Sequence, residues 1–148
     1  MALAIAEAKL GPKSGDLPIG ALVIDEGGIV IARASNRREA TQDPTAHAEV
    51  LALRLAAEAR GDWHLDGCTL VVTLEPCPMC AGAAVLARVQ RIVFGAWNDE
   101  YGACGSHWDL PRDRRLNHRP EVVSGVLALE CGNLVRDFMA GVRAQGGS

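Results

Sequence analysis

The sequence predicts an α/β fold: a three-layer α/β/α sandwich whose central, mostly parallel five-stranded mixed sheet has helices on both faces. Strand-like apolar segments alternate with helix-like segments, an order typical of a parallel sheet covered by helices. The segment CTLVVTL (68–74) is a continuous apolar run, which suits a strand buried on both faces. The chain has 148 residues, the size of one domain. We therefore expect one domain over residues 1–143 and a disordered tail over residues 144–148.

The first elements along the chain are a helix and a hairpin. The segment MALAIAEAKLG (1–11) is rich in alanine and predicts a helix. IGALVI (19–24) and IVIARA (29–34) are short apolar runs rich in branched residues and predict two strands. Gly27–Gly28 lies between them and supplies the residue type that a tight hairpin turn prefers.

Two helices follow strands in the middle of the chain. The segment 43–60 predicts a helix with Asp43 as N-cap and Pro44 in its first turn. This helix is apolar on nearly every side, so we expect it to be buried between layers. PMCAGAAVLARV (78–89) predicts a second buried helix. The other predicted elements are two strands and an amphipathic C-terminal helix, at 91–97, 121–127 and 133–142.

Composition limits the class of protein. No apolar run approaches the ~20 residues of a membrane-spanning helix, and the first residues lack a basic region and a cleavage site, so we expect neither a membrane protein nor a signal peptide. Five cysteines are an odd number without the spacing of a disulfide scaffold, which favours a reducing, cytoplasmic location. The formal net charge of −3 does not indicate nucleic-acid binding, although a local basic patch can outweigh it.

The segment LEPCPMCAG (74–82) places Cys77 and Cys80 three residues apart, just after a proline. This spacing fits a redox pair, half of a structural zinc site, or two of the three ligands of a catalytic metal. Cys77 lies at a predicted helix start, where a thiolate is stabilised, as a redox thiol requires. A structural zinc needs a fourth ligand, and no candidate for it repeats a paired spacing. The candidates are Cys68, Cys104, Cys131, His64, His107 and His118. We interpret the three cysteines among them as small buried hydrophobic residues.

A second segment, PTAHAEV (44–50), favours the catalytic metal. His47 and Glu49 lie near the start of a helix that follows a strand, and the carboxyl edge of an open α/β sheet is where such proteins place their sites. One imidazole and two thiolates are a typical zinc set, and three protein ligands leave the fourth position for water.

Glu49 has two interpretations. A glutamate in a first helical turn complements the helix dipole. Two residues after a zinc-binding histidine it can also carry protons, as in the signature H-x-E…P-C-x-x-C of zinc deaminases. Residues two apart on a regular helix point about 200° away from each other. An irregular first turn, or the length of the glutamate, must therefore bring both side chains to one metal.

The sequence resembles the cytidine deaminase superfamily, and within it is similar to the bacterial tRNA adenosine deaminases. The metal motif carries the first resemblance. TLEPCPMCAGA, the later FGA and GACGS, and NHR favour the tRNA branch over the guanine and cytosine deaminases, which share H-A-E and P-C-x-x-C. The matching segments are 18–24, 35–37, 43–54, 69–83, 91–96, 102–106 and 117–122.

This resemblance implies a cytidine deaminase-like sandwich and a zinc-dependent hydrolase that converts the wobble adenosine of a tRNA anticodon to inosine. It implies a homodimer, with the anticodon stem-loop as partner and one Zn²⁺ per subunit, which lowers the pKa of its bound water toward ~7. The implied zinc ligands are His47, Cys77 and Cys80, and Glu49 is the catalytic proton carrier. The implied substrate-binding residues are Asn36 through its side chain, Ala46 and Glu75 through their backbone, and Asn98.

The loop after FGA departs from the family pattern. The family usually has an aspartate where this chain has Asn98 and a lysine where it has Glu100. An amide can donate as well as accept, so contact with the ribose is expected to change. The C-terminal segment has only Arg143 where relatives often have a basic helix. Positive charge is concentrated instead in PRDRRLNHR (111–119), which we interpret as a phosphate-contacting surface. Its arginines are Arg112, Arg114, Arg115 and Arg119.

Two other functions are considered. A zinc deaminase of a free base or nucleoside, such as guanine or cytosine, is supported by the acidic loop 98–100 and the low net charge. A noncatalytic zinc-binding partner subunit is the third hypothesis. The presence of Glu49 and of both thiols argues against it, because an inert subunit has no use for a proton carrier.

Overall fold

The computed structural model describes residues 1–146, which form five strands and five α-helices. The strands are β1 (Gly20–Ile24), β2 (Val30–Ser35), β3 (Thr69–Leu74), β4 (Arg91–Ala96) and β5 (Glu121–Val123). The helices are α1 (Ala2–Ala8), α2 (Arg38–Thr41), α3 (Ala48–Arg60), α4 (Pro78–Leu86) and α5 (Ala128–Ala144). Short 3-10 turns lie at Gly11–Ser14 and Leu110–Arg112. Of the tail expected to be disordered, Ala144 ends α5, residues 145–146 form a turn, and residues 147–148 lie outside the described part.

The five strands form one mixed sheet in the order β2-β1-β3-β4-β5. β1 is antiparallel to both of its neighbours, whereas β3, β4 and β5 pair in parallel. Therefore β2, β3, β4 and β5 point in the same direction, and β1 points in the opposite direction. This arrangement confirms the sandwich that the sequence predicts, with its mostly parallel mixed sheet.

Helices cover both faces of the sheet. Ala21 and Val23 of β1 face a core that they share with α3 and α4, while Leu22 between them faces α1 on the opposite side, where it packs with Ala4 and Val71. α5 lies on the same side as α1, against β3 and β4. The continuous apolar strand β3 is covered on both faces, as its sequence predicts. Within residues 1–146, every helix is too short or too polar to cross a bilayer.

The helix expected over 43–60 begins five residues later, at the start of α3, so Asp43 is not its N-cap. The Asp43 carboxylate instead accepts hydrogen bonds of 2.8 Å from both the N–H and the hydroxyl of Thr45, which closes a local turn. His47 is the N-cap residue, with φ −73° and ψ 149°. The chain is thus extended at His47 and becomes helical just after it.

Two other expectations about burial and length are wrong. α3 is not buried between layers, because it lies on one face of the sheet and Leu55 on its outer side is 44% exposed. The strand expected over 121–127 stops at Val123. Gly125 and Leu127 have positive φ angles of 81° and 52°, which no strand accommodates, and α5 begins directly after them.

The carboxyl edge of the sheet collects the segments that carry polar and metal-binding residues. β2 ends beside Asn36, β3 leads to Glu75 and Cys77, and β4 leads to Trp97 and Asn98. Both α3 and α4 begin at this edge. It is the edge at which open α/β sheets place ligand sites.

Candidate active site

Three side chains with metal-binding atoms meet at the carboxyl edge: His47, Cys77 and Cys80. Their candidate ligand atoms lie within 4.8 Å of one another. His47 Nδ1 is 3.6 Å from Cys77 Sγ and 3.4 Å from Cys80 Sγ. A tetrahedral zinc ion bonded at about 2.3 Å to sulfur and 2.0 Å to nitrogen separates such atoms by about 3.6 Å. The donor types and their spacing therefore fit zinc. Among the described residues the cluster has three members, which leaves a fourth position for water or substrate.

The cluster is built from the starts of two helices. His47 is the N-cap of α3 and Cys77 the N-cap of α4, and both have extended backbones, with ψ angles of 149° and 174°. Pro78 occupies the first helical position, where its missing N–H costs nothing. Cys80 lies in the first turn of α4 and is fully buried. The two helix starts thus present one imidazole and two thiols to the same point.

The two thiols have very different acidities before a metal binds. The pKa of Cys77 is lowered to about 4, chiefly because the Cys80 thiol donates a hydrogen bond to it, and with a further contribution from His47. The same hydrogen bond, together with burial, raises the pKa of Cys80. The pair therefore holds one proton and one negative charge, and a bound cation would displace the remaining proton.

Glu49 lies in the first turn of α3, only 4% exposed. Burial raises the pKa of its carboxyl group, the shift expected of a group that must exchange protons near neutral pH. His47 is the N-cap residue and not part of the helix, so the 200° separation of regular helical neighbours does not apply. His47 and Glu49 accordingly line the same cavity.

This cavity has a volume of about 1170 Å³. Pockets that hold a drug-sized ligand have volumes of roughly 300–1,000 Å³. His47, Glu49 and Cys77 lie in one part of its wall, and α5 together with the loop after β4 forms another part. The cavity therefore has room for more than a single nucleobase.

Glu75 holds the loop that follows β4. Its carboxylate is 1% exposed and accepts hydrogen bonds from the N–H groups of Asn98 at 3.1 Å, Cys104 at 3.0 Å and Ser106 at 3.0 Å, and also from the Ser106 hydroxyl. Its own N–H donates to Ala96 O at 2.8 Å. Sequence reasoning assigned Glu75 a backbone role and did not reveal this side-chain function.

Of the other expected substrate-binding residues, two line the cavity and one does not. Asn36 and Asn98 line the cavity, whereas Ala46 does not. The N–H and C=O of Ala46 are bonded to Asp43 and Arg37. Asn36 Oδ1 accepts a hydrogen bond of 3.1 Å from the Arg38 N–H, which leaves its amide nitrogen as the group able to donate to a ligand.

The arginines expected to contact RNA phosphates do not line the cavity. They are Arg112, Arg114, Arg115 and Arg119. Arg115 pairs with Asp113 through bonds of 3.0 and 2.6 Å, and Arg112 lies 3.6 Å from Asp109. Arg119 precedes β5, whose first residue pairs with the first residue of β4, so it lies near the amino edge of the sheet. The six residues of β4 separate that edge from the cavity by roughly 20 Å.

Besides His47, four cavity-lining residues have basic or aromatic side chains, and these four were not identified from the sequence as site residues. They are Arg38, Trp97, Tyr101 and Arg136. Arg38 and Trp97 directly follow the segments SNR and FGA, which carried the family resemblance, so their neighbourhood could have indicated them. Nothing in the amphipathic pattern of α5 distinguishes Arg136. The three cysteines outside the metal cluster are buried, in agreement with their interpretation as small hydrophobic residues.

Comparisons with known proteins agree with this geometry. Residues 1–96 match the family model described as the cytidine and deoxycytidylate deaminase zinc-binding region. The tRNA-specific adenosine deaminase of Bacillus subtilis is 51% identical over 95% of this chain and 86% of its own length.

Two solved structures are also similar. One comes from a study of A-to-I editing by tRNA:A34 deaminases at the wobble position of transfer RNA. It has a TM-score of 0.87 and 40% identity, and covers 90% of this chain and 96% of its own. The guanine deaminase of Nitrosomonas europaea has a TM-score of 0.78 and 29% identity, and covers 94% and 82% respectively. Taken with the zinc-compatible cluster, these matches show that the chain belongs to the tRNA-specific adenosine deaminases, within the zinc-dependent cytidine and deoxycytidylate deaminase family.

Proposed function

We propose that this chain hydrolyses the amino group of the wobble adenosine in a tRNA anticodon loop, giving inosine and ammonia. The observation that carries the proposal is the His47–Cys77–Cys80 cluster beside the buried Glu49, in a cavity too large for one base. Residues 1–143 would act as one catalytic domain. The names of two relatives, the Bacillus subtilis protein and the structure with a TM-score of 0.87, refer to tRNA deamination, which supports the proposal.

The chemistry divides between a metal and the side chains around it. Zinc held by His47, Cys77 and Cys80 would supply a water molecule of lowered pKa. Glu49 takes a proton from the attacking water and delivers it to the purine ring nitrogen. It then takes the proton of the hydroxyl group now on the ring carbon and gives it to the departing amine, which leaves as ammonia while the ring carbon becomes a carbonyl. The raised pKa that burial gives Glu49 suits a group that must both take up and release a proton.

Asn36 would position the base for this reaction. Its carbonyl oxygen is already used by the Arg38 N–H, so its amide nitrogen is left to donate to an acceptor on the purine. An unpaired anticodon base can leave its stack at low cost, which brings the reacting carbon to the metal. Asn98 and the backbone of Glu75 complete the proposed substrate contacts, whereas Ala46 is outside the cavity and its backbone groups are bonded to Asp43 and Arg37. The four arginines of 111–119 would contact phosphates outside the cavity.

We further propose that the protein acts as a cytoplasmic homodimer. α3 and α4 expose large apolar side chains: Leu55 is 44% and Leu86 73% exposed. Exposed apolar surface is typical of protein interfaces. All five cysteines are free thiols, as expected in a reducing compartment.

Deamination of a free nucleobase is the second candidate function. Asp99 and Glu100 line the cavity and add negative charge where an RNA phosphate would be repelled. The similarity to a guanine deaminase structure points the same way. The two functions differ in substrate size and share the metal cluster and Glu49.

The test uses the purified, zinc-loaded protein and its isosteric variant Glu49→Gln. Each is incubated with an anticodon stem-loop that has a wobble adenosine, with the same stem-loop carrying its adenosine in the paired stem, and with free guanine, cytosine and adenosine. Inosine at the wobble position alone, absent with the variant, supports tRNA editing. Product from a free base alone would assign the second function, and no product from any substrate at full zinc occupancy would contradict both.

A further inference from the structure

We propose that Trp97 and Tyr101 form a stacking platform for an unpaired base of the substrate RNA next to the target adenosine. This inference rests on the proposed function, since it describes how the same cavity takes RNA. It gives the loop after β4 a role in binding RNA bases, in addition to the contact with the ribose expected of Asn98.

The two rings are exposed within the wall of the catalytic cavity. Trp97 is 49% and Tyr101 60% exposed, and both line the cavity that contains His47 and Glu49. Aromatic faces accept any base by stacking, and single-stranded nucleic acids are commonly held in this way. A substrate that places its adenosine at the metal cluster enters the cavity that these rings line, which favours RNA over a second protein copy as their occupant.

Trp97 is held rigidly on one side. Its ring meets the buried Phe94 edge to face, with centroids 5.0 Å apart and planes at 80°. It also lies against the backbone of Gly105, where a Cβ atom would come within 3.3 Å of the ring. The side chain nevertheless remains 49% exposed and lines the cavity. A ring fixed in advance loses little conformational entropy when a base stacks on it.

The position of the platform is tied to the metal cluster. Asn98 Oδ1 accepts a hydrogen bond of 3.0 Å from the Tyr101 N–H and so closes the turn that carries both rings. The Asn98 N–H in turn donates to the Glu75 carboxylate at 3.1 Å, and Glu75 is two residues from Cys77. A short connection through the buried Glu75 therefore links the rings to the metal cluster.

The charges around the cavity separate bases from phosphates. Asp99 and Glu100, between the two rings, repel phosphate groups, whereas Arg38 and Arg136 lie on other parts of the wall and attract them. A sugar–phosphate backbone running past the arginines would turn its bases, which are neutral, toward Trp97 and Tyr101. The acidic loop is thus compatible with an RNA substrate.

The test is a double-mutant cycle between protein and RNA. Steady-state deamination is measured for the wild type and Trp97→Ala, each with an intact stem-loop and with stem-loops that carry an abasic nucleotide on either side of the wobble adenosine. We expect Trp97→Ala to raise KM for the intact RNA about 5- to 150-fold, the loss of one base–aromatic stack. One abasic position should cause a similar rise with the wild type and little further rise with the variant. Trp97→Tyr should restore most of the affinity, because it keeps an aromatic face.

Controls separate stacking from folding and from the proposed function. Trp63→Ala removes a tryptophan that is 60% exposed, stacks on His64 and does not line the cavity, and should leave KM unchanged. If Trp97→Ala raises KM by the same factor for the intact RNA and for both abasic RNAs, the platform is wrong. It is also wrong if the wild type is a dimer and Trp97→Ala dissociates it without changing Tm. If the wild type makes no inosine in any RNA, the proposed function itself fails, which is a different result from additivity.

Discussion

The Glu75→Gln substitution is expected to destabilise the protein by about 3 kcal/mol, because it removes one carboxylate oxygen from a fully used set. In the structure one oxygen accepts from the Asn98 N–H and the Ser106 hydroxyl, and the other from the N–H groups of Cys104 and Ser106. Glutamine keeps one accepting oxygen and turns an NH₂ group toward the remaining donors. Either orientation leaves at least one backbone N–H facing another donor.

The magnitude follows from these bonds. A hydrogen bond to a charged group is worth about 1.5–3 kcal/mol, so two lost bonds would cost about 3–6 kcal/mol. Ser106 is exposed and its hydroxyl can turn to water, which places the expected value at the lower end. The whole stability of a domain is about 5–15 kcal/mol, so this is a large fraction.

The assay is urea unfolding of the wild type, Glu75→Gln and a control, Glu121→Gln. The Glu121 side chain is 59% exposed and pairs with Arg91 at 3.0 Å, so its substitution should cost less than about 0.5 kcal/mol. Hydrogen exchange at the Cys104 and Ser106 amides gives a local measurement and should speed up in Glu75→Gln. A stability equal to that of Glu121→Gln, with unchanged exchange at both amides, would refute the role assigned to Glu75.

Three further predictions concern other parts of the molecule. Gly95→Ala should lower stability by about 1–3 kcal/mol in thermal unfolding, because the Cβ atom of the alanine would overlap Cys131 Sγ and lie 2.8 Å from Thr73 O. An unchanged Tm would contradict this close packing of α5 on β4. Burial raises the pKa of the Asp16 carboxyl group, but hydrogen bonds from Glu39, Ser14 and Ala40 outweigh this effect and lower the pKa below 3.8. The stability that Asp16 adds is therefore present above pH ~4 and is lost as the pH falls further. The difference in stability between the wild type and Asp16→Asn should close on acidification, and a difference independent of pH would contradict this role. Cys80→Ser should abolish stoichiometric zinc binding measured by atomic absorption, whereas Cys68→Ser should retain it, and equal zinc contents would remove Cys80 from the ligand set.

The sequence by itself was sufficient to predict a mostly parallel mixed sheet and to identify the side chains of the metal cluster. Apolar runs and their alternation with helical segments depend on neighbouring residues, so β3 and the presence of the two helices α3 and α4 could be predicted. The cysteine spacing and the histidine–glutamate pair are likewise local, and they were sufficient to predict a three-ligand zinc cluster. The start of α3 was predicted too early because an aspartate can either cap a helix or close a local turn, and Asp43 closes a turn with Thr45.

Only the tertiary structure decided which distant groups meet. Glu75 and Ser106 are 31 residues apart, and no periodicity relates a carboxylate after β3 to a loop after β4. The basic segment 111–119 drew attention through its composition, yet none of its arginines lines the cavity, and strand pairing places Arg119 near the amino edge. Arg38, Trp97 and Arg136 line the cavity because the parallel strands end at one edge and α5 packs across it. Sequence periodicity reports which side of its own element a residue occupies, whereas the composition of a cavity depends on how separate elements pack.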